Sequence, residues 1–245
     1  MSATARLAVI PARGGSKRIP GKNVRPMQGR PLLAYTVEAA IGSGLFERVI
    51  VTTDSAEIAV IARASGAEVP FLRDPTLADD ITPVSRATID VLERLGQAGQ
   101  AYEQVCQLMP NCPLRTAEDV TASHRQFVAT SASAQISVVR FGWQNPWWAM
   151  RRASDLTIAP LFAEAMTQRS QDLPELFCPT GAVWWATTEG LRREGTFHMA
   201  GRTGWEIHWT HGLDIDTEDD WLLTDVLMGL ALPGGRPGPE PGPAG

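Results

Sequence analysis

What this chain lacks excludes several protein classes. It has three cysteines, Cys106, Cys112 and Cys178, in 245 residues. An odd number without close ligand spacing encodes neither a disulfide framework nor a zinc site. Cys106 lies in an apolar, strand-like run and reads as core, while Cys112 lies in a loop and reads as a buried bystander rather than a nucleophile. His208 and His211 lack the further ligands that a metal centre needs, so they read as ordinary strand or turn histidines. Excess positive charge is missing too: 22 Lys and Arg face 27 Asp and Glu, for a net charge of −5. A general nucleic-acid binder carries a basic field, and this chain does not. No apolar run approaches the ~20 residues of a membrane-spanning helix, and no secretory leader precedes the first apolar run. The expected location is the cytoplasm, with neither membrane nor nucleic acid as partner. The sequence contains no internal repeat.

The common phosphate loops are also absent. There is no Gly-x-x-x-x-Gly-Lys-Ser/Thr and no Gly-x-Gly-x-x-Gly. What stands near the start instead is Leu7 to Asn23, an apolar run, Leu7 to Ile10, that empties into a loop. The loop holds Gly14, Gly15 and Gly21, interleaved with Arg13, Lys17, Arg18 and Lys22. Glycines let backbone N–H groups turn toward a ligand, and cations suit a polyanion, with arginine able to fork onto two phosphate oxygens. A strand followed by such a loop reads as a triphosphate site.

The rest of the chain alternates strand and helix patterns. Helices are expected over Pro31–Ile41, from the Ser55 cap to Ser65, over Val84–Leu95 and Ala117–Ala129, and from the Thr217 cap to Leu230. Strands are expected over Val49–Thr53, Ala67–Phe71, Gln104–Met109 and Gln135–Arg140. This alternation specifies an α/β fold with a mostly parallel sheet. Residues 1–232 form one domain, and the Pro/Gly-rich 233–245 cannot bury a face and reads as a disordered tail. Trp143, Trp147 and Trp148 cluster beside Asn145-Pro146. Such density is core, a ligand-stacking wall or an interface anchor, and we favour packing at a dimer contact.

Near the end stands Leu213-Asp214-Ile215-Asp216-Thr217-Glu218-Asp219-Asp220. On a strand, Asp214 and Asp216 would share a face and could hold Mg²⁺ against triphosphate oxygens. Glu218 and Asp219 suit the positive end of the following helix. The alternative is that all four acids serve only to start that helix.

The opening loop resembles the first motif of the acylneuraminate (nonulosonic acid) cytidylyltransferases. It matches through Ala12-Arg13-Gly14-Gly15-Ser16-Lys17, Ile19-Pro20 and Lys22-Asn23. The resemblance runs over most of residues 7–230 and includes Asp-Ile-Asp-Thr-Glu-Asp at 214–219. Arg169-Ser170-Gln171-Asp172-Leu173-Pro174 particularly resembles enzymes handling pseudaminic and legionaminic acids. The resemblance implies a three-layer, Rossmann-like nucleotidyltransferase fold. It also implies a small dimerisation insert over about 141–178, a homodimer, and Mg²⁺ on Asp214 and Asp216. The reaction implied is transfer of CMP from CTP to a nine-carbon 2-keto sugar acid with loss of pyrophosphate. Arg13, Lys22, Asp214 and Asp216 would be catalytic. Ala12, Gly14, Gly15, Ser16, Asn23 and Arg73 would join Arg13 and Lys22 in holding CTP; for Arg73 the alternative is a surface arginine at a strand end. Arg169, Gln171 and Asn111 would read the sugar. Arg115 is either a helix-entry surface residue or a ligand contact.

Three departures bear on the sugar: Met109 stands where many sialic acid enzymes have Gln, Asn111 where Thr is usual, and Thr180 where Asn is usual. Methionine cannot donate the hydrogen bonds of glutamine. Rival readings are a cytidylyltransferase for the eight-carbon acid Kdo, a nucleotide hydrolase, and a non-catalytic nucleotide-binding protein. Lys22-Asn23 argues against the first. The acidic pair retained beside the loop argues against the last.

Overall fold

A computed structural model describes residues 4–79 and 81–231. In chain order the elements begin with β1 (Arg6–Pro11), β2 (Pro26–Met27), β3 (Arg30–Pro31), α1 (Leu32–Gly42), β4 (Arg48–Thr52), α2 (Ala56–Ala64) and α3 (Val84–Gln97). Next come β5 (Gln104–Gln107), α4 (Ala117–Thr130), β6 (Ala134–Arg140), β7 (Met150–Arg152) and β8 (Ile158–Pro160). The last are β9 (Phe177–Thr187), α5 (Thr188–Glu194), β10 (Thr203–Glu206) and α6 (Glu218–Ala231). Six strands form the central sheet in the order β10-β6-β9-β5-β1-β4. Only β9 runs against its neighbours; β1 is parallel to both β4 and β5, and β10 to β6.

Both faces of this sheet are covered, and β1 and β4 accordingly read as nearly continuous apolar runs. Along β1, Ala8 and Ile10 face α1, α2 and α4, while Leu7 and Val9 face α3 and α5. This is the expected three-layer α/β sandwich. Its largest fully buried side chain is Trp185 on β9. The indole stacks between Phe46 and Phe127 at ring separations of 5.5 and 5.9 Å and donates to Ser123 Oγ at 3.0 Å.

Local signals set the helix starts. Ser55 Oγ accepts from Ile58 N, and Thr116 and Asp119 cap each other reciprocally at the head of α4. At α6, Asp220 N donates to Thr217 Oγ1, while Asp220 Oδ2 accepts from Thr217 N. Glu218 and Asp219 fill out the acidic first turn, as the sequence predicted.

Four expectations need correction. The strand predicted over Ala67–Phe71 is a single bridge, Glu68 to Ile50. Strand β5 ends at Gln107, so Met109 lies beyond it in the loop. Asp214 and Asp216 are not on a strand: Ile215 N donates to the Asn111 carbonyl, and Asp216 N and Thr217 N donate to the Asp220 carboxylate. With these groups committed to a loop and a helix cap, no ladder forms there. Arg115 is neither a surface residue nor in the site cleft. It is buried, and its Nη1 donates to the carbonyls of Met109 and Ala182 at 3.2 and 2.5 Å.

Between β6 and β9 the chain departs from the sheet, and β7 and β8 pair there as an antiparallel hairpin. Trp147 packs edge-on against Phe162 and donates to the Pro174 carbonyl, whereas Trp143 is 87% exposed. The tail over 233–245 and Asp80, in the polar segment before α3, lie outside the described residues.

The Trp185 cluster joins strand to helix at the centre of one face. Trp185→Ala is expected to cost about 3–5 kcal/mol, the range for removing a large buried aromatic. Urea denaturation with an unchanged m-value checks this.

Candidate active site

The loop after β1 is built by its neighbours. Ala12 N extends the β1–β4 ladder to the Thr52 carbonyl at 3.0 Å, and the chain then leaves the sheet. Gly14 N donates to Asp54 Oδ1 at 2.9 Å, just past the end of β4. Gly21 takes a positive φ of 64°, and its carbonyl receives both Val24 N and Arg25 N. A side chain at that position would be strained. Asn23 closes the loop, its Nδ2 donating to the Arg13 carbonyl at 2.9 Å. Its Oδ1 is buried with no hydrogen-bond partner.

The second half of the site comes from the segment before α6. Lys22 Nζ donates to the Ile215 carbonyl at 2.7 Å and lies 3.5 Å from Asp216 Oδ1. Arg18 pairs with the same Asp216 oxygen at 2.9 Å. Burial pulls the Lys22 ammonium pKa below its usual range, and Asp216 opposes that shift. Asp214 points elsewhere. Its carboxylate accepts the Cys112 thiol at 2.6 Å and the Gly181 N–H at 3.2 Å, and burial raises its pKa. Gly181 must be glycine: an added Cβ would lie 2.8 Å from Met109 Cγ and 3.2 Å from Asp214 Oδ1.

These parts enclose one cleft at the end of β1. Arg13, Ser16, Lys17, Arg18, Lys22 and Asn23 form one wall, Met109, Pro110 and Asn111 another, and Asp216 closes it. The arrangement sets several cations over a floor with a carboxylate, which suits a polyphosphate accompanied by a divalent cation. Among the described residues no three His, Cys, Asp or Glu side chains cluster as a metal site. A Mg²⁺ that shares its ligands with a triphosphate needs only one or two protein carboxylates. Asp216, in the lining of the cleft, offers one such carboxylate, whereas Asp214 two positions earlier gives its oxygens to Cys112 and Gly181.

Other predicted residues are placed differently. Ala12 offers the cleft no free N–H, and Gly14 gives its own to Asp54. Arg13 spans the cleft and a neighbouring hollow, where its Nη1 donates to the carbonyls of Asp79 and Ala78. Arg73 lines that hollow too but is no surface residue. It is buried, its guanidinium donates to the Thr52 carbonyl and Oγ1, and burial lowers its pKa to about 10. Arg169 and Gln171 are not brought to the cleft. Arg169 is exposed and pairs with Asp172 at 2.8 Å, and Gln171 lines a separate hollow with Arg140 and Asn145.

Sequence reasoning counted Arg18 only among the cations of the loop and passed over Asp54 and Cys112 as site residues. Asp54, directly after an apolar strand, carried a readable signal; the partner of Cys112 did not. The histidines lie in the turn leading to Asp214, and His211 Nδ1 sits 2.8 Å from Asp119 Oδ2.

The model of a family described as cytidylyltransferase matches residues 7–131. The chain is 33% identical over 225 residues to the CMP-N,N'-diacetyllegionaminic acid synthase of Legionella pneumophila, covering 91% of this chain and 96% of that protein. It is 30% identical over 222 residues to a pseudaminic acid cytidylyltransferase of Campylobacter jejuni, covering 90% and 95%. Among solved structures, a CMP:2-keto-3-deoxy-manno-octonic acid synthetase complexed with CTP superposes with a TM-score of 0.70. It shares 16% identity and covers 94% of this chain and 100% of its own. At that identity the likeness is one of fold.

The His211–Asp119 pair ties the approach to Asp214 to the head of α4. Asp119 raises the His211 pKa above its ordinary 6.5 against the effect of burial. The stabilisation is complete below the unfolded-state value and is lost as pH rises through the folded-state value. The difference in Tm between wild type and His211→Gln is therefore expected to be larger at pH 6 than at pH 8.5. Equal differences at both would remove the ion pair from the account.

Proposed function

The chain belongs to the cytidylyltransferase family, and on that premise we propose that it transfers CMP from CTP to a nonulosonic acid, a sialic-acid-like sugar. The anomeric 2-hydroxyl attacks the α-phosphorus, the bond to the β-phosphate oxygen breaks, and pyrophosphate leaves. The observation that carries this reading is the Lys22 contact with Ile215 and Asp216. It joins the glycine- and cation-rich loop to the acidic segment in one cleft.

Such a reaction depends on alignment and charge neutralisation rather than covalent catalysis. Arg13, Arg18 and Lys22 face the triphosphate and its developing charge. Arg13 and Gly14 exchange their internal carbonyl and carboxylate partners for phosphate oxygens, with Gly15, Ser16 and Asn23 as further donors. Asp214 and Asp216 would hold Mg²⁺, which would neutralise phosphate charge. Arg73, lining the adjoining hollow, supports the nucleotide end. Asn111, Arg169 and Gln171 read the sugar. Asn111 does so from the cleft wall. Arg169 and Gln171 act across a homodimer, in which the insert over about 141–178 reaches the other subunit. Exposed Trp143, Leu156 and Ile158 on that segment support this role. The relatives' names support a legionaminic- or pseudaminic-type acid, and Met109, unable to donate a hydrogen bond, fits a sugar read differently from sialic acid. The absence of a membrane-length apolar helix among the described residues is compatible with the cytoplasm, where CTP is found.

The test is pyrophosphate release with CTP and a panel of legionaminic, pseudaminic and N-acetylneuraminic acids. Release is expected only when one of these acids is present; release without acid would indicate a hydrolase. Lys22→Ala and Asp216→Ala are each expected to lower kcat by about 10²-fold or more, the scale for losing one electrostatic contact to the transition state. Circular dichroism should show both folded. Arg169→Ala is expected to raise KM for the sugar acid while leaving KM for CTP unchanged. Equal changes in both would remove Arg169 from the sugar site.

A further inference from the structure

The turn after β5, Pro110-Asn111-Cys112-Pro113-Leu114-Arg115, grips the segment that carries the two aspartates. It does so at adjacent residues. The Asn111 carbonyl accepts from Ile215 N at 2.9 Å, and the Cys112 thiol donates to Asp214 Oδ1 at 2.6 Å. The turn is itself anchored to β9. Arg115 Nη1 donates to the Met109 and Ala182 carbonyls, and Met109 N donates to the Gly181 carbonyl at 3.1 Å. Gly181 N then reaches both oxygens of the Asp214 carboxylate at 3.2 Å. Asp214 thus accepts one side-chain donor and one backbone donor from a single braced unit.

The Cys112 side chain is fully buried, and its S–H has the Asp214 carboxylate as acceptor at 2.6 Å. A thiol is a weak donor to a neutral acceptor. An ionised acceptor strengthens such a bond. The chain thus places a side chain often treated as inert filler directly on the acid two positions before Asp216, which lines the cleft.

We propose that Cys112 is a positioning residue: its thiol, together with the Gly181 N–H, orients the Asp214 carboxylate toward the metal and triphosphate. This rests on the reading of Asp214 as a metal ligand. Groups that orient metal ligands typically change metal affinity or activity by about 10- to 100-fold when removed. The role requires a donor, not a particular volume. A hydroxyl at position 112 should serve, and a methyl should not.

The experiment compares wild type, Cys112→Ser, Cys112→Ala and Asp214→Asn. Calorimetry measures the Kd for CTP in Mg²⁺ and in EDTA, without sugar acid. The ratio of the two isolates what the metal adds to binding. Cys112→Ala is expected to reduce that ratio by about tenfold, with Kd in EDTA unchanged. Cys112→Ser is expected to restore it, and kcat with Mg²⁺ should follow the same order. An unchanged ratio in Cys112→Ala overturns the proposal, as does failure of Cys112→Ser to restore it. A rise of Kd in EDTA and in Mg²⁺ by the same factor also overturns it, because that is the mark of general packing. Asp214→Asn separates the two readings. If it abolishes the metal gain while Cys112→Ala leaves it intact, only the proposal fails. If it leaves the gain intact, the assignment of Asp214 fails and the proposal with it.

Discussion

The site depends on one long-range contact, Lys22 Nζ with the Ile215 carbonyl and the Asp216 carboxylate, between residues 194 positions apart in the case of Asp216. It brings the cation-rich loop against the acidic segment, alongside the Arg18–Asp216 and Arg25–Glu218 pairs. The contact is half-buried, so solvent screens it less than a surface pair. It also limits how far either side can move. Lys22 is held by a loop whose turn requires Gly21 in a positive φ, and Ile215 is held by the Asn111 carbonyl. Charge of both signs is therefore fixed at the cleft by backbone geometry rather than by flexible surface side chains.

The central sheet explains why these pieces meet. β1 lies between β4 and β5, so the loops leaving all three emerge side by side. Asp54 follows β4 and holds Gly14; Met109 to Asn111 follow β5 and form the second wall. The antiparallel β9 adds Gly181 beside Met109, where the absence of a side chain permits the close approach of Asp214. In parallel α/β sheets ligands bind beyond the carboxyl ends of the strands, and this cleft follows that rule.

Much of this was legible in the chain, for identifiable reasons. The strand-to-loop transition at Pro11 and the glycine and cation spacing that follows are local signals. So are the alternating apolar faces of the helices and the Ser55, Thr116 and Thr217 caps. Features set by tertiary contact were not legible. Asp214 and Asp216 alternate as they would on a strand, but their backbone groups are claimed by Asn111 and Asp220. Ala67–Phe71 has a strand's composition, yet only Glu68 finds a partner. Arg115 looked like a surface or ligand residue because nothing in its neighbours announces two waiting carbonyls. Arg169 and Gln171 carry family-like types, but the fold of a single chain leaves them outside the cleft.

The central claim is that the loop and the acidic segment together join a nucleotide to a sugar acid. Phosphorus NMR of one reaction containing CTP, Mg²⁺ and a nonulosonic acid tests it most directly. The account predicts a new phosphodiester resonance from a CMP-sugar, growing in equal amount with pyrophosphate and absent without the acid. Free CMP and pyrophosphate appearing at the same rate with or without the acid, or CTP left intact across the whole panel of acids, would contradict it.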